Sequence, residues 1–159
     1  MKEGKTMGQE IRTGVNPTNE ITFGVCLTGR PAELTTAEYT VVKDAESLAI
    51  SINGSVEEWN PMDMAGWVRR LTTAKSISIS MGGKRNYGDP GNDYVAGIAF
   101  KNGQDCNSAM SINFPNGDKL VMPCVIDVKS MGGQSTAIDE LQWDALSDGK
   151  PEYVAYQAV

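Results

Sequence analysis

The chain has 159 residues, the length of one ordinary domain, and its hydrophobic share of 40% is typical of a folded protein. A net charge of −6, with no long Lys or Arg run to offset it, disfavours tight binding to DNA phosphates. The sequence contains no histidine, which removes the commonest general base and metal ligand and excludes Ser-His-Asp and Cys-His catalysis. We therefore expect a protein that is not an enzyme.

Residues 1–20 are polar and lack hydrophobic periodicity, so we expect a loose N-terminal arm, followed by a single domain over residues 21–159. Residues 1–20 contain no apolar leader, and no stretch of the sequence approaches the roughly 20 apolar residues that span a bilayer. We expect synthesis in the cytoplasm and no membrane partner. The three cysteines are far apart and lack metal-binding spacing, which predicts buried, reduced thiols: Cys26, Cys106 and Cys124.

Hydrophobic alternation predicts three strands in the first third of the domain. They are "ITFGVCL" (21–27), "EYTVVK" (38–43) and "SLAISING" (47–54). In the third strand, Leu48, Ile50 and Ile52 share one face. This period-two pattern indicates a sheet with one buried face.

The next segment, "NPMDMAGWVRRLTTAK" (60–75), predicts a helix over residues 61–73. Asn60 can cap it, Pro61 suits its first position, and Asp63 places a negative charge in its first turn. Four apolar residues then fall at helical spacing and are interpreted as core packing: Met64, Trp67, Val68 and Leu71.

Alternation returns in the remainder of the chain, where "NG" at Asn116 and Gly117 predicts a hairpin and Pro123 predicts an edge position or a bulge. The predicted strands are 75–81, 93–100, 108–114, 119–128, 137–146 and 152–156. With about eight strands and one helix, we predict a mainly β, α+β fold: an antiparallel β-sandwich or barrel with one flanking α-helix.

The stretch "GGKRNYGDPGNDYVAG" (82–97) is the least ordinary part of the chain. It contains neither of the two phosphate-loop patterns, G-x-x-x-x-G-K-[ST] and G-x-G-x-x-G, and the residues that follow it alternate like a strand. Asp89, Asn92 and Asp93 supply oxygen ligands for calcium, but the spacing of an EF-hand is missing. The "DPG" turn leaves the run "KRNY" unexplained, so an exposed contact loop is the favoured interpretation.

Paired carboxylates are the remaining catalytic candidates. Glu57 and Glu58, like Asp139 and Glu140, are adjacent in predicted strands, so the members of each pair point to opposite faces and do not converge on one substrate. We predict solvated surfaces at both places.

Taken in order, the residues resemble the tail tube (major tail) proteins of long-tailed phages, particularly those of Gram-positive hosts. The resemblance rests on a long block, "INGSVEEWNPMDMAGWVRRLTTAKSISISMGGKRNYGDPGNDYVAG" (52–97), and on two shorter ones, "FPNGDKLVMPCVIDV" (114–128) and "AIDELQWDALSDGKP" (137–151). The strand at 21–27 adds a looser match. These blocks span most of residues 45–151.

The resemblance implies a virion structural protein, as in phages and prophages, that forms hexameric rings stacked into a hollow tube for the genome. Its implied partners are copies of itself, the tape measure and the tail terminator, while DNA passes the lumen without tight binding. No cofactor or metal is implied. The implied subunit or ring interface comprises Arg69, Arg70, Lys84, Arg85, Asn86, Tyr87, Asp89, Asn92 and Asp93.

Two other hypotheses stay open at this point. The inner tube of a phage-derived bacteriocin or contractile injection system would share the fold, and no residue distinguishes it from a phage tail tube. A monomeric carbohydrate-binding module would instead use a calcium loop at Asp89, Asn92 and Asp93, with Trp59 or Tyr94 as stacking platforms. That hypothesis requires an exposed aromatic patch and calcium-dependent stability.

Overall fold

The computed structural model describes residues 12–156, so residues 1–11 of the predicted arm and residues 157–159 lie outside the description. Seven strands and one helix occur within it: β1 Thr22–Val25, β2 Ala45–Trp59, β3 Arg69–Lys84, α1 Pro90–Ile98, β4 Asn107–Asn113, β5 Lys119–Gly132, β6 Glu140–Ser147 and β7 Glu152–Val154. Short 3-10 turns cover Thr18–Glu20, Met62–Met64 and Gly103–Cys106. None of the described helices is long and apolar enough to cross a membrane.

All strands join one antiparallel sheet in the order β1-β4-β5-β6-β3-β2, with β7 added to the start of β5. β5 belongs to two halves of this sheet. Its first half pairs with β4 and β7, and its second half pairs with β6. The predicted fold class is confirmed: the chain is mainly β with one helix and a sandwich-like arrangement.

The core lies where the apolar faces of the two halves meet. A row of partners, Ile50, Ile79, Ala145 and Ile126, crosses four strands, and the last three are buried. Buried side chains of α1 and β4 complete the same cluster. Alternation in β3, β5 and β6 therefore marks the face that packs inward, as predicted from the sequence.

The predicted helix over residues 61–73 is wrong. The chain instead makes a tight turn in which Ala65 and Gly66 have φ of 50° and 90°, and then returns as β3. Pro61 is extended, with ψ of 152°, so it does not begin a helix. Helical spacing of four apolar residues was outweighed by long-range pairing of β3 with β2, in which strand-favouring residues such as Thr72 take part.

The predicted strand over residues 93–100 is also wrong, because this segment forms most of α1. Asp89 caps the helix and Pro90 occupies its first turn. The segment 38–43 contains no strand either, since only Thr40 pairs, in an isolated bridge with Val25. α1 packs so closely here that a side chain on Gly91 would collide with the carbonyl of Val41.

Other local predictions are confirmed. Gly117, with φ of 95°, turns the chain between β4 and β5. Pro123 lies between the part of β5 that pairs with β7 and the part that pairs with β6, where the ladder is interrupted. All three cysteines are free, and Cys26 and Cys124 are buried as predicted. The predicted burial of Cys106 is wrong, because this residue is only partly buried.

The last strand is held by one carboxylate. Asp118 accepts hydrogen bonds from the hydroxyl of Tyr153, in β7, and from the backbone N–H of Tyr156 at 2.8 Å. The hydrogen bond from Tyr153 is the main cause that lowers the pKa of Asp118 below its usual value of 3.8. These bonds add to the short ladder between β7 and β5.

We expect the substitution Ile79→Ala to lower the free energy of unfolding by about 2–5 kcal/mol, because it opens a cavity at a fully buried position. Ile52→Ala is the matched control on the neighbouring strand, at a side chain that is 65% exposed, and should change it by less than about 1 kcal/mol. Chemical denaturation at low protein concentration measures both. Equal losses would contradict this placement of the core.

Acid should release β7 before the rest of the sheet. Because the folded pKa of Asp118 is depressed, its contribution is complete above the unfolded value and is lost as the pH falls through the lower folded value. The protection of the Tyr153 and Tyr156 amides relative to intrinsic exchange should therefore fall below about pH 4. The variant Asp118→Ala, which removes both acceptor oxygens, should show weak protection there at every pH, and full protection in it would contradict the anchoring role.

Candidate assembly interface

Asp89 and Asn92 from the sequence-predicted interface are buried at the corner between β3 and α1. One carboxylate oxygen of Asp89 accepts hydrogen bonds from the backbone N–H of Asn92 at 3.0 Å and of Lys43 at 3.2 Å. Asp89 therefore caps α1 and also ties the helix to the segment that precedes β2.

Asn92 is the centre of this corner and is only 1% exposed. Its side-chain N–H₂ donates to the carbonyl oxygens of Lys43 at 3.2 Å and Lys84 at 3.0 Å. Its carbonyl oxygen accepts from the guanidinium of Arg85 at 2.9 Å and from the backbone N–H of Asn86 at 3.0 Å. A buried amide with four partners holds three chain segments in one arrangement.

Arg85 continues the network towards the surface. Its guanidinium forms an ion pair with Asp93 at 2.8 Å and lies 4.2 Å from the centre of the Tyr87 ring. The Tyr87 hydroxyl donates to Asp139 at 3.0 Å, and this bond is the main cause that raises the pKa of Tyr87. Asn86 donates to Asp44 at 2.5 Å.

Most polar side chains at this corner thus form hydrogen bonds or ion pairs within the chain. Tyr87 is well exposed, and the Lys84 amino group reaches Glu46 and Glu140 at 3.5 and 3.6 Å. The proposed calcium ligand Asp89 already serves as a cap, and among residues 12–156 no three acidic, His or Cys side chains converge as a metal site. An interface role for this corner stays a prediction.

A second surface was missed by sequence reasoning. β2 and β3 extend beyond the last pair between β3 and β6, which is Ser78 opposite Leu146. Residues 52–77 therefore form a two-stranded hairpin in which β2 and β3 pair only with each other, which we call the arm. Within this range only Pro61, Val68 and Ile77 are partly buried. The well-exposed apolar side chains of the arm are Ile52, Val56, Trp59, Met62, Met64, Trp67 and Leu71.

The two arginines predicted on a helix lie on the arm instead. Arg70 forms an ion pair with Glu58 at 2.9 Å, and Arg69 lies 5.6 Å from the centre of the Trp59 ring. Both pairs are directly opposite in the ladder, so they stabilise the register near the turn. The neighbouring acids Glu57 and Glu58 point to opposite faces, as predicted.

The apolar residues of the arm are divided between its two faces, and a β-bulge determines the face on which Leu71 lies. Ser55 pairs with Ala74 and Val56 with Thr72, so Thr73 is an extra residue in β3. Beyond the bulge, Leu71 lies on the same face as Trp59, whereas Ile52 and Val56 lie on the opposite face. Both faces of the arm therefore carry exposed apolar surface.

The four neighbouring strands β5, β6, β3 and β2 end in an open edge on each side in the described part of the chain. β2 pairs on one side only, with β3. β5 loses its β4 partner after Val125, so residues 126–132 pair only with β6. Because the four strands between these edges alternate in direction, β2 of one copy would meet this part of β5 in another copy in antiparallel orientation.

The outer face of these four strands carries mostly small and polar side chains, together with the exposed Leu146 of β6. It presents Ser78 and Ser80 from β3, and Asp144 of β6 stands directly opposite Asp127 of β5. Lys129 forms an ion pair with Asp127 at 2.7 Å, and this pairing raises the pKa of Lys129. The two facing carboxylates would otherwise repel each other.

One signal in the sequence could have revealed the arm. Strand-like alternation in 47–54 and again in 75–81 flanks a segment with Ala65-Gly66 near its middle. A hairpin centred on that glycine accounts for both flanks, whereas a helix accounts only for four apolar residues between them.

The fold is similar to those of two solved chains from gene transfer agent particles. A chain from the tail of an empty gene transfer agent particle, obtained with helical refinement and C6 symmetry, superposes with a TM-score of 0.69 at 16% identity. A chain from the virion of a native gene transfer agent particle gives 0.67 at 16% identity. Both matches cover 89% of this chain and 100% of the other. No protein-family model and no curated protein matches the sequence.

We expect Asp89→Ala to lower the free energy of unfolding by about 1–2 kcal/mol, because two backbone N–H groups lose their acceptor. Asp89→Asn is the matched control, since it keeps an acceptor oxygen and should retain most of the stability. Thermal unfolding of the unassembled protein measures the difference. If Asp89→Ala unfolds like the wild type, the corner is not structural and its residues are free for an interface.

Proposed function

We propose that the chain is a structural subunit of a phage-like tail tube, with no catalytic role, and that its copies close into rings that stack into a hollow conduit for the genome. The observation that carries the proposal is the arm, whose two faces expose apolar side chains in the isolated chain. A two-stranded ribbon of this kind is marginal alone in water and gains stability when neighbours cover it.

The two open edges explain how a ring would form. The edge of β2 and residues 126–132 of β5 lie on opposite sides of the same four strands, so one copy offers each neighbour a different edge. Such a head-to-tail contact generates a ring when the rotation closes. The C6 symmetry of the similar gene transfer agent tail supports six copies, and closure would remove every open edge in this layer.

The polar outer face suits the inside of that ring. Pairing through both edges would make the sheets continuous, with the apolar face turned to the core of each copy. Serines, Asp127 and Asp144 would then line the lumen. Negative charge there repels DNA phosphates and keeps the genome from adhering, in line with the net charge of −6.

Several finer assignments belong to the same proposal. We place the protein in the virion tail after synthesis in the host cytoplasm, with the tape measure and tail terminator as further partners. A Gram-positive host rests on the sequence resemblance alone. The corner around Asn92 would contribute to subunit contacts chiefly by holding α1 and β3 in place, and Tyr87 offers it an exposed side chain.

Electron microscopy of the concentrated protein tests the proposal, with six-fold rings or hollow tubes as the expected result. A shortened variant, in which residues 54–75 are replaced by Asn-Gly, joins the paired residues Asn53 and Ser76 by a two-residue turn. It should fold as a monomer, since it keeps the buried core, but it should not form tubes.

Phe100→Ala is the control for this variant, because it removes an aromatic ring that is 88% exposed and lies outside the arm and the open edges. It should assemble like the wild type. A wild-type protein that stays monomeric at every concentration would contradict the proposed function. A calcium-dependent rise in melting temperature of that monomer would favour the carbohydrate-binding hypothesis instead.

A further inference from the structure

The end of the arm presents a large aromatic side chain that the described residues leave mostly exposed. Residues 60–68, which we call the tip, are held by the turn at Ala65 and Gly66 and by a hydrogen bond from the Trp67 N–H to the Met64 carbonyl oxygen at 2.9 Å. Trp67 is 76% exposed and Met62 is fully exposed. A fixed turn that holds large apolar side chains in water is typical of a docking element.

A cavity of about 340 Å³ lies at the opposite end of β2, between β1 and the segment that leads into β2. We call it the β1 pocket. Its apolar lining includes Phe23, Val41, Leu48 and the buried Met81. This volume falls in the range of sites that enclose one small ligand or one large side chain.

The tip of a chain cannot reach its own β1 pocket. The pocket lies at the start of β2, near Ala45, and the tip follows its end at Trp59, so the 15 residues between them separate the two by roughly 45 Å. When the copies point in the same direction, occupation of one copy's pocket by another copy's tip leaves a free tip and a free pocket at the two ends of the pair. Such a contact repeats along an axis.

The charges around the two elements are complementary. Lys43, Asp44 and Glu46 line the mouth of the β1 pocket. The tip carries Asp63, and Arg69 and Arg70 follow it immediately along β3. The acids at the pocket can face Arg69 of the arm, while Lys43 can face Asp63, so a second copy of this chain complements the pocket in charge. Glu46 and Arg70 also form ion pairs within the chain, with Lys84 and Glu58.

We propose that Trp67 of one copy inserts into the β1 pocket of a copy in the next ring, and that this contact stacks the rings. The inference rests on the proposed tube. Under this inference β2 takes part in two different contacts. Its free edge closes a ring, while the tip beyond its last residue and the β1 pocket beside its first residue join one ring to the next.

Two substitutions test the contact from its two sides. Trp67→Ala removes the inserted ring, and Val41→Trp fills the pocket from a residue that is already well exposed. Each should leave rings intact and raise the protein concentration at which tubes appear by at least about tenfold. Phe100→Ala should leave that concentration unchanged. Mixing the two variants should restore one contact and produce pairs of rings without longer tubes.

Cross-linking gives a second readout, because a disulfide traps a contact that has been weakened by the loss of the Trp67 ring. Trp67→Cys combined with Val41→Cys, in a Cys106→Ser background, should oxidise to a ladder of linked chains, whereas neither single variant should. Burial raises the pKa of Cys124 to about 12, so that thiol contributes little thiolate near neutral pH. Tubes of the double variant that yield no ladder would overturn the inference.

Further outcomes separate this inference from the proposed function. If the wild type forms neither rings nor tubes, the proposed function fails. If wild-type tubes form and both single variants stack equally well, only this inference fails. Loss of rings together with tubes in both single variants would also overturn it.

Discussion

The backbone ladder between β2 and β3 runs from Ala45 opposite Gly83 to Trp59 opposite Arg69. β6 covers only the part of β3 from Ser78 to Lys84. Where β6 is present, β3 is flanked on both sides and one face of the hairpin is buried in the core. Where β6 has ended, the same two strands continue with water on both faces. This difference in strand length gives the molecule both a stable body and an arm that lacks a covering layer.

The part of the sheet that β6 covers depends on the hydrogen bonds of one buried side chain, Asn92, as well as on its apolar core. Asn92 is buried in α1, yet all four of its side-chain partners lie on other segments, which include the end of β3 and the approach to β2. The hydrogen bonds of Asn92 therefore fix α1 against the two strands that continue into the arm. A buried amide with satisfied partners specifies one arrangement more strictly than apolar contact does, because every alternative leaves a polar atom unpaired.

Strict alternation made much of the fold predictable. Ile77, Ile79 and Met81 lie on the inward face, as do Leu141 and Trp143. The sequence was misleading where local and long-range preferences disagree. Trp67 and Leu71 follow helical spacing, but that spacing also arises by chance in a hairpin, and only the register with β2 decides between them. The polar residues near Asp89 predict an exposed loop, because the neighbouring sequence does not indicate that Lys43, which is distant in the chain, lies beside them.

The bulge at Thr73 determines how many surfaces the arm can engage. In an uninterrupted strand, Leu71 would share the face of Ile77, and the apolar side chains of β3 would form a single stripe. One inserted residue turns the side chains of the outer part of β3 to the opposite face. The arm therefore exposes apolar side chains on one face near its base and on the other face near its end. An arm built in this way is bivalent: a flat partner on one side can satisfy only half of it, and it is fully covered only when held between two neighbours.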